Sequence, residues 1–281
     1  MTDILDDFQG AEIDSPEFSR IIPIAEAAEL EGQDISAIVG SGFQELDDCM
    51  KGGFRDGDFN VITGIPGEGK TTLARMLTLN FAEKSVPSLW FSHEMTNSEL
   101  WESFKEMGAN TDLIAFVPET LENDLAWMMR HIEKAIVERG IKAVFIDTIG
   151  DVVKTVNRSQ DIPNYSTYLE HICKGLRDFA VKHHLVMTVI AHATKQTRSN
   201  SNETTNADIA HSNGIPATAT NIFHVWRDND SDNRSFVKIG KSRRDGTKKN
   251  WKFTYQFDNG RLIAEGRHLE DPMEDTWRKK K

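Results

Sequence analysis

Only two cysteines, Cys49 and Cys173, occur in 281 residues, and they lie too far apart to make a metal or redox spacing. That shortage excludes a disulfide-stapled scaffold and leaves both thiols as small buried apolar groups in a reducing compartment. No apolar run is long enough to cross a bilayer, and no signal peptide is visible. A soluble, cytoplasmic protein with no membrane partner is therefore expected. A basic excess is missing too: 33 Lys and Arg face 44 Asp and Glu, a net charge of −11. This balance excludes a broadly basic nucleic-acid coat, but a narrow basic channel stays compatible with it, because local charge decides phosphate contact. There is no internal repeat, and the Ser/Thr/Asn-rich run Thr197–Asn206 is the one low-complexity stretch. The length fits one large α/β domain with short extensions.

What the chain does contain is organised around Gly64-Ile65-Pro66-Gly67-Glu68-Gly69-Lys70-Thr71, which reads G-x-x-x-x-G-K-T. The apolar run Phe59-Asn60-Val61-Ile62 precedes it, and Thr72-Leu73-Ala74-Arg75-Met76-Leu77 follows with apolar residues at helical spacing. A strand, a glycine-rich turn and a helix start form the context of a P-loop. Glycines let backbone N–H groups wrap phosphates, and the helix N-terminus adds partial positive charge. Lys70 is expected to reach the β/γ-phosphates and Thr71 to hold Mg2+, with Gly64 to Thr72 as the nucleotide-binding stretch.

Residues 1–19 are acidic and polar (Asp3, Asp6, Asp7, Glu12, Asp14, Glu17) and are expected to be disordered. Residues 20–36 carry a short helical signal after Pro23, either an N-terminal helix on the same core or a linker helix docking on a neighbouring subunit. The main domain is expected over 37–265, with a charged tail over 266–281. Ser41 reads as the cap of a helix Phe43–Met50 ended by Gly52-Gly53. Strands are expected at Ser88–Ser92, Leu113–Val117, Lys142–Asp147 and Leu185–His192. Helices are expected from Ser98, over Leu125–Arg139 with Gly140 as its stop, and over Tyr165–His183. This rhythm predicts βαβ units: an α/β fold with a mainly parallel central sheet flanked by helices. From Ile222 the pattern turns to short strands, Ile222–Arg227, Arg234–Lys241, Trp251–Phe257 and Leu262–Ala264, joined by turns such as Asp245-Gly246. These predict C-terminal antiparallel hairpins.

Phosphoryl transfer needs a metal anchor and a group to orient water. Asp147 ends an apolar strand downstream of the P-loop, the Walker B arrangement for Mg2+. Glu94 closes the strand after the P-loop helix, at the edge where α/β ligands sit, and is a candidate general base. His192 ends a further strand on that edge, as either a structural hydrogen-bonder or a sensor. Lys241-Ser242-Arg243-Arg244 reads as a solvated cluster or as a finger toward a neighbour's γ-phosphate.

Together these residues resemble the RecA-like motor domain of DnaB-family replicative helicases, from about Ile38 to Leu262. Val39–Leu46 looks like that family's opening segment, roughly T-G-Φ-x-x-L. Phe91-Ser92-His93-Glu94-Met95 is similar to its F-S-L-E-M motif, which makes Glu94 the implied catalytic base, and Phe145-Ile146-Asp147 is similar to its Walker B. Val189-Ile190-Ala191-His192 matches the strand ending in a γ-phosphate-sensing polar residue. That residue is Gln in the bacterial enzymes and His in the more similar phage primase-helicases. Asp208–Gly214 followed by Asn221–Asp228 looks like the DNA-binding loop and the strand ending Y-R-D, here Trp226-Arg227-Asp228. Lys241-Ser242-Arg243 is similar to the K-x-R whose cations act in trans. The loop departs from the family by having Ala210-His211 in place of an R-E pair.

The resemblance implies an ATP-driven helicase, a hexameric ring with Mg2+ and ATP at each interface, moving on single-stranded DNA beside a separate primase and DNA polymerase. The implied DNA-contacting segments are Val152–Gln160, with Lys154 and Arg158, and Ala193–Gly214, with Lys195, Arg198, His211, Ser212, Asn213 and Gly214. Neither offers an aromatic stacking platform, so backbone tracking is expected rather than base readout. RecA/RadA-type recombinases, KaiC-like ATPases and a helicase-loader accessory are the competing readings; the F-S-x-E-M and K-x-R motifs favour the helicase.

Overall fold

The computed structural model describes residues 23–24, 39–122, 124–152, 165–194, 202–209, 214–228, 234–258 and 261–268. The expectations for residues 1–19 and for nearly all of 20–36 lie outside them.

Nine strands form one sheet in the order β3-β2-β4-β5-β1-β6-β7-β8-β9. The strands are β1 (Phe59–Gly64), β2 (Ser88–Ser92), β3 (Ala115–Phe116), β4 (Ala143–Asp147), β5 (Val186–His192), β6 (Asn221–Arg227), β7 (Arg234–Ser242), β8 (Lys252–Asp258) and β9 (Arg261–His268). Neighbours from β3 to β6 are parallel, and β6 through β9 pair antiparallel. The α/β fold with C-terminal hairpins is therefore as the sequence predicts. The last strand runs to His268, three residues into the segment read as tail.

Strands β1, β2 and β4 are buried at every position. That is what helices on both faces of a parallel sheet require. Alternation along each strand sorts the side chains between two apolar layers. Ile62, Trp90, Phe145 and Ile190 face the layer built with α2 (Lys70–Glu83) and α3 (Asn97–Glu106). Val61, Phe91, Val144, Ile146 and Val189 face α4 (Leu125–Arg139) and α5 (Tyr165–Lys182). Trp90 stacks on Phe145 at 5.0 Å, and its indole N–H donates to buried Thr78 at 2.9 Å. Local signals set the helix ends. Thr96 and Glu99 form a capping box, Asp124 caps α4, and Gly140 ends α4 in the left-handed region.

Ser41 does not cap the first helix, α1 (Gln44–Cys49), whose N-cap is Phe43 with no side-chain bond. Its hydroxyl accepts from the Phe43 N–H while its own N–H donates to Asp47, so Ser41 builds the preceding turn. The expected Asp245-Gly246 turn is a wider connection containing a 3-10 turn, Gly246–Lys248, held by the Asp245 carboxylate accepting from Thr247.

One buried ion pair fixes the hairpins to the parallel sheet. Asp58, just before β1, is fully buried and bonded to the Arg244 guanidinium beyond β7. Burial raises the Asp58 carboxyl above its ordinary range, opposed by the Arg55 N–H and by Arg244. Arg244→Ala would strand that charge and is expected to cost about 3 kcal/mol, read by urea denaturation.

Candidate active site

The carboxyl ends of four parallel strands bring the chemistry together. Register places Gly64 beside His192 and Ser92 beside Asp147, so the ends of β1, β5, β2 and β4 share one edge. At that edge the chain turns from β1 into α2 through the P-loop. Gly64 is required by close approach: a Cβ there would meet the Val225 carbonyl oxygen at 2.2 Å. Gly67 and Gly69 are required by conformation, with φ of 82° and 92°. Lys70 is buried at the first position of α2, and its ammonium donates to the Ile65 carbonyl at 2.8 Å. Burial lowers its pKa, opposed by Glu94, Asp147 and Glu68.

The Thr71 hydroxyl donates to Asp147 Oδ2 at 2.8 Å. Asp147 Oδ1 is buried and has no hydrogen-bond partner among the described residues. Burial pushes this carboxyl up to about 6, countered by Thr71, raised further by Glu94, and lowered by Lys70 and His192. A buried carboxylate with a spare oxygen beside a hydroxyl fits Mg2+, which prefers oxygen and draws most of its ligands from water and phosphates. Among the described residues there is no group of three or more His, Cys, Asp or Glu placed to hold a metal ion.

Glu94 and His192 meet directly: His192 Nε2 lies 2.8 Å from Glu94 Oε1, within hydrogen-bond reach of the carboxyl oxygen. Beside the start of α2, Gly69, Thr72, Val225, Arg227, Ser235, Val237 and Leu262 line a cavity of about 130 Å³. Sequence reading missed this apolar slot. Its signal lay in the hairpin register, which pairs Val225 with Val237 and Arg227 with Ser235.

Thus Gly64, Ile65, Pro66, Gly67, Glu68, Gly69, Lys70, Thr71 and Thr72 form the loop and the first turn of α2, and Glu94, Asp147 and His192 converge on it. Lys241 and Arg243 do not. The Lys241 ammonium donates to the Pro216 carbonyl at 2.5 Å, and Arg243 donates to Ala217 at 2.7 Å, in the short helix α6 (Gly214–Thr218). Ser242 pairs with Asn221, which pairs with Asn60 at the start of β1. The pair therefore sits at the opposite sheet edge, about 13 Å along β1 from the P-loop at 3.3 Å per residue. Burial, with Arg243 and Arg177 nearby, pushes Lys241 down to about 8. Arg177 on α5 is a third cation that sequence reading missed.

Of the expected DNA-contacting residues, Lys154, Arg158, Lys195, Arg198, His211, Ser212 and Asn213 lie outside the described residues. Gly214 opens α6 and is buried, where a Cβ would come within 2.4 Å of the Glu170 side chain, so its smallness serves packing on α5. The described part of the second loop, 202–209, is anchored on the sheet. Thr204 and Asn206 hydrogen-bond the two ring nitrogens of His224, each at 2.8 Å. Asn206 also donates to the Gly240 carbonyl, and Glu203 bridges Lys238 and Lys252. Burial pushes His224 down to about 3, so the ring is neutral.

The family model "ATPase: KaiC" matches residues 39–211. Among curated proteins, the chain is similar to the DNA repair protein RadA of Aquifex aeolicus, 26% identical over 124 residues, which is 43% of this chain and 28% of that protein. It is also similar to RadA of Campylobacter jejuni, 26% identical over 171 residues, 55% of this chain and 38% of that one. The chain thus spans well under half the length of these relatives. Among solved structures, the ATPase domain of G40P superposes with a TM-score of 0.70 at 18% identity, over 85% of this chain and 96% of that one. A DnaB-like replicative helicase, solved in a study of its interactions with primase, gives 0.69 at 17% identity, over 92% and 70%. A KaiC-like protein from Pyrococcus horikoshii gives 0.63 at 16% identity, over 81% and 98%. At these identities the likeness is one of fold.

Proposed function

The chain belongs to the KaiC ATPase family, and from that premise we propose that it is a ring-forming motor of the DnaB helicase kind, hydrolysing ATP as it moves on single-stranded DNA. The observation that carries this reading is the division of the catalytic set between two sheet edges. Lys70, Thr71, Glu94, Asp147 and His192 gather at one edge, whereas Lys241 and Arg243 stand at the other, turned onto α6. Cations so placed can serve a γ-phosphate only on a neighbouring copy, which makes each site incomplete without a second subunit.

In this reading the base of ATP enters the slot of Val225, Val237 and Leu262, and the N–H groups of the loop cradle the phosphates. Lys70 exchanges the Ile65 carbonyl for phosphate oxygens. Thr71 and Asp147 would hold Mg2+, which when bound neutralises charge between the β- and γ-phosphates. Glu94 orients the attacking water and accepts its proton. Without nucleotide Glu94 is engaged by His192; a γ-phosphate gives His192 a second acceptor and frees the carboxylate for water. The two loops bearing Lys154, Arg158, Lys195 and Arg198 line the pore and follow the DNA backbone, with strong salt dependence. Primase and polymerase belong to this reading as separate partners.

The RadA similarity supports a second reading, a repair-type ATPase using the same site without unwinding. A forked duplex with one labelled strand separates them. ATP-dependent strand release supports the helicase. Intact DNA-stimulated turnover without strand release moves the assignment to the RadA-like reading.

A further inference from the structure

We propose that Glu68 is a positioning residue that couples the phosphate loop to the candidate DNA loop through Asn202. The proposal deepens the reading above and rests on it for the role of the loop.

The P-loop motif leaves this position open, and the residue present carries a negative charge into a loop built for phosphates. The geometry shows where that charge goes. Glu68 Oε1 accepts from the Asn202 side-chain amide at 2.8 Å, and Oε2 accepts from the Arg227 backbone N–H at 2.6 Å. One carboxylate thereby ties the phosphate loop to two segments that are each more than a hundred residues away from it in sequence, the end of β6 and the second loop. Glu68 stands between Gly67 and Gly69, both left-handed, so the backbone sets the direction of its side chain.

Asn202 is also the first residue of a firmly held platform. Segment 202–209 is fastened by Thr204 and Asn206 to His224 and Gly240, by Glu203 to Lys238 and Lys252, and by a bridge from Ala193 to Ile209. In sequence it lies between Lys195 and Arg198 on one side and His211 to Asn213 on the other. A displacement at Asn202 therefore enters the segment 202–209, which adjoins both candidate DNA-contacting stretches in sequence. A ligand shifts an equilibrium only if it interacts differently with the two states. Phosphate charge arriving beside the Glu68 carboxylate supplies that difference, and Glu68 relays it to Asn202. Because coupling is reciprocal, occupancy of the loop by DNA feeds back on nucleotide affinity.

The test is hydrogen–deuterium exchange of the full chain with and without Mg2+ and ATPγS, in the absence of DNA. In the wild type, nucleotide should change exchange of the amides 202–209 by about fivefold or more. In Asn202→Ala that change should fall below about twofold, with ATPγS affinity held within about threefold. Asn202→Gln, which keeps the amide donor, should recover part of it. A purely structural contact would instead speed exchange equally with and without nucleotide, and that result overturns the proposal. So does a wild-type segment that ignores nucleotide, or a response that survives in Asn202→Ala. These outcomes need no DNA and are separate from failure of the motor reading, which would show as wild-type turnover indifferent to single strands.

Discussion

Arg243→Ala is expected to bind ATP as the wild type does and to lose roughly a thousandfold in turnover, the scale on which arginine fingers act. Binding should survive because Arg243 is far from its own P-loop: Ser242 registers with the start of β1, whereas Gly64 is at its end. Turnover should fail because the finger that meets charge building on the γ-phosphate is then missing from the neighbouring copy. The trans geometry has a sharper consequence. Lys70→Ala should be equally inactive, for want of a phosphate ligand, yet its Arg243 is intact. Mixed with Arg243→Ala it should regain activity, since roughly a quarter of interfaces in an equal mixture then pair an intact P-loop with an intact finger. A cis finger would give no recovery, and normal turnover in Arg243→Ala alone would remove the assignment. Either result is read directly from steady-state phosphate release.

Asp147→Asn is expected to move activity and stability in opposite directions. Neutralising the residue that accepts from the Thr71 hydroxyl and offers the spare oxygen should lower Mg2+-dependent turnover by about three orders of magnitude, since the metal holds the phosphates in line. The nucleotide-free protein should nevertheless become more stable. The Asp147 carboxyl is raised from 3.8 to about 6, chiefly by burial. A group raised in the folded state binds a proton more tightly there, so its contribution is present below pH 3.8, declines as pH rises through 6, and is gone above it. A shift of this size corresponds to roughly 2–3 kcal/mol withheld at pH 8. Asparagine removes the charge but leaves an amide without a clear acceptor, so the net gain should be about 1–2 kcal/mol at pH 8, shrinking toward pH 4. Thermal melts of both proteins at the two pH values, without nucleotide, would show it. An equal or lower melting temperature for Asp147→Asn at pH 8 would contradict the account of this carboxylate. The wild-type residue would then be an instance of stability given up for a metal site.

The parts of this site that were legible in the sequence share one property: each is written locally. The glycines, Lys70 and Thr71 declare the P-loop within eight residues, and Asp147, Glu94 and His192 each mark the end of an apolar run. Parallel strands of matched length then bring run-ends to one edge, which is why Gly64 falls beside His192 and Ser92 beside Asp147. What was not legible depends on register and on distant pairing. The slot of Val225, Val237 and Leu262 exists only once β7 and β9 are placed against the start of α2. The Glu68–Asn202 contact spans 134 positions, and its P-loop position is one the motif leaves free. Lys241 and Arg243 were recognisable as a pair, but not their seat on the carbonyls of Pro216 and Ala217 or the nearby Arg177. Ser41 misled because a serine ahead of a helix builds a turn as readily as a cap.

The central claim is that ATP turnover at a site shared between subunits is driven by single-stranded DNA. It is tested most directly by the steady-state rate of ATP hydrolysis with and without single-stranded DNA at low salt. The account predicts strong stimulation, of about tenfold or more, that fades as salt rises and phosphate contacts are released. A basal rate indifferent to single strands across that salt range would contradict it and leave a KaiC-family ATPase whose work is not on DNA.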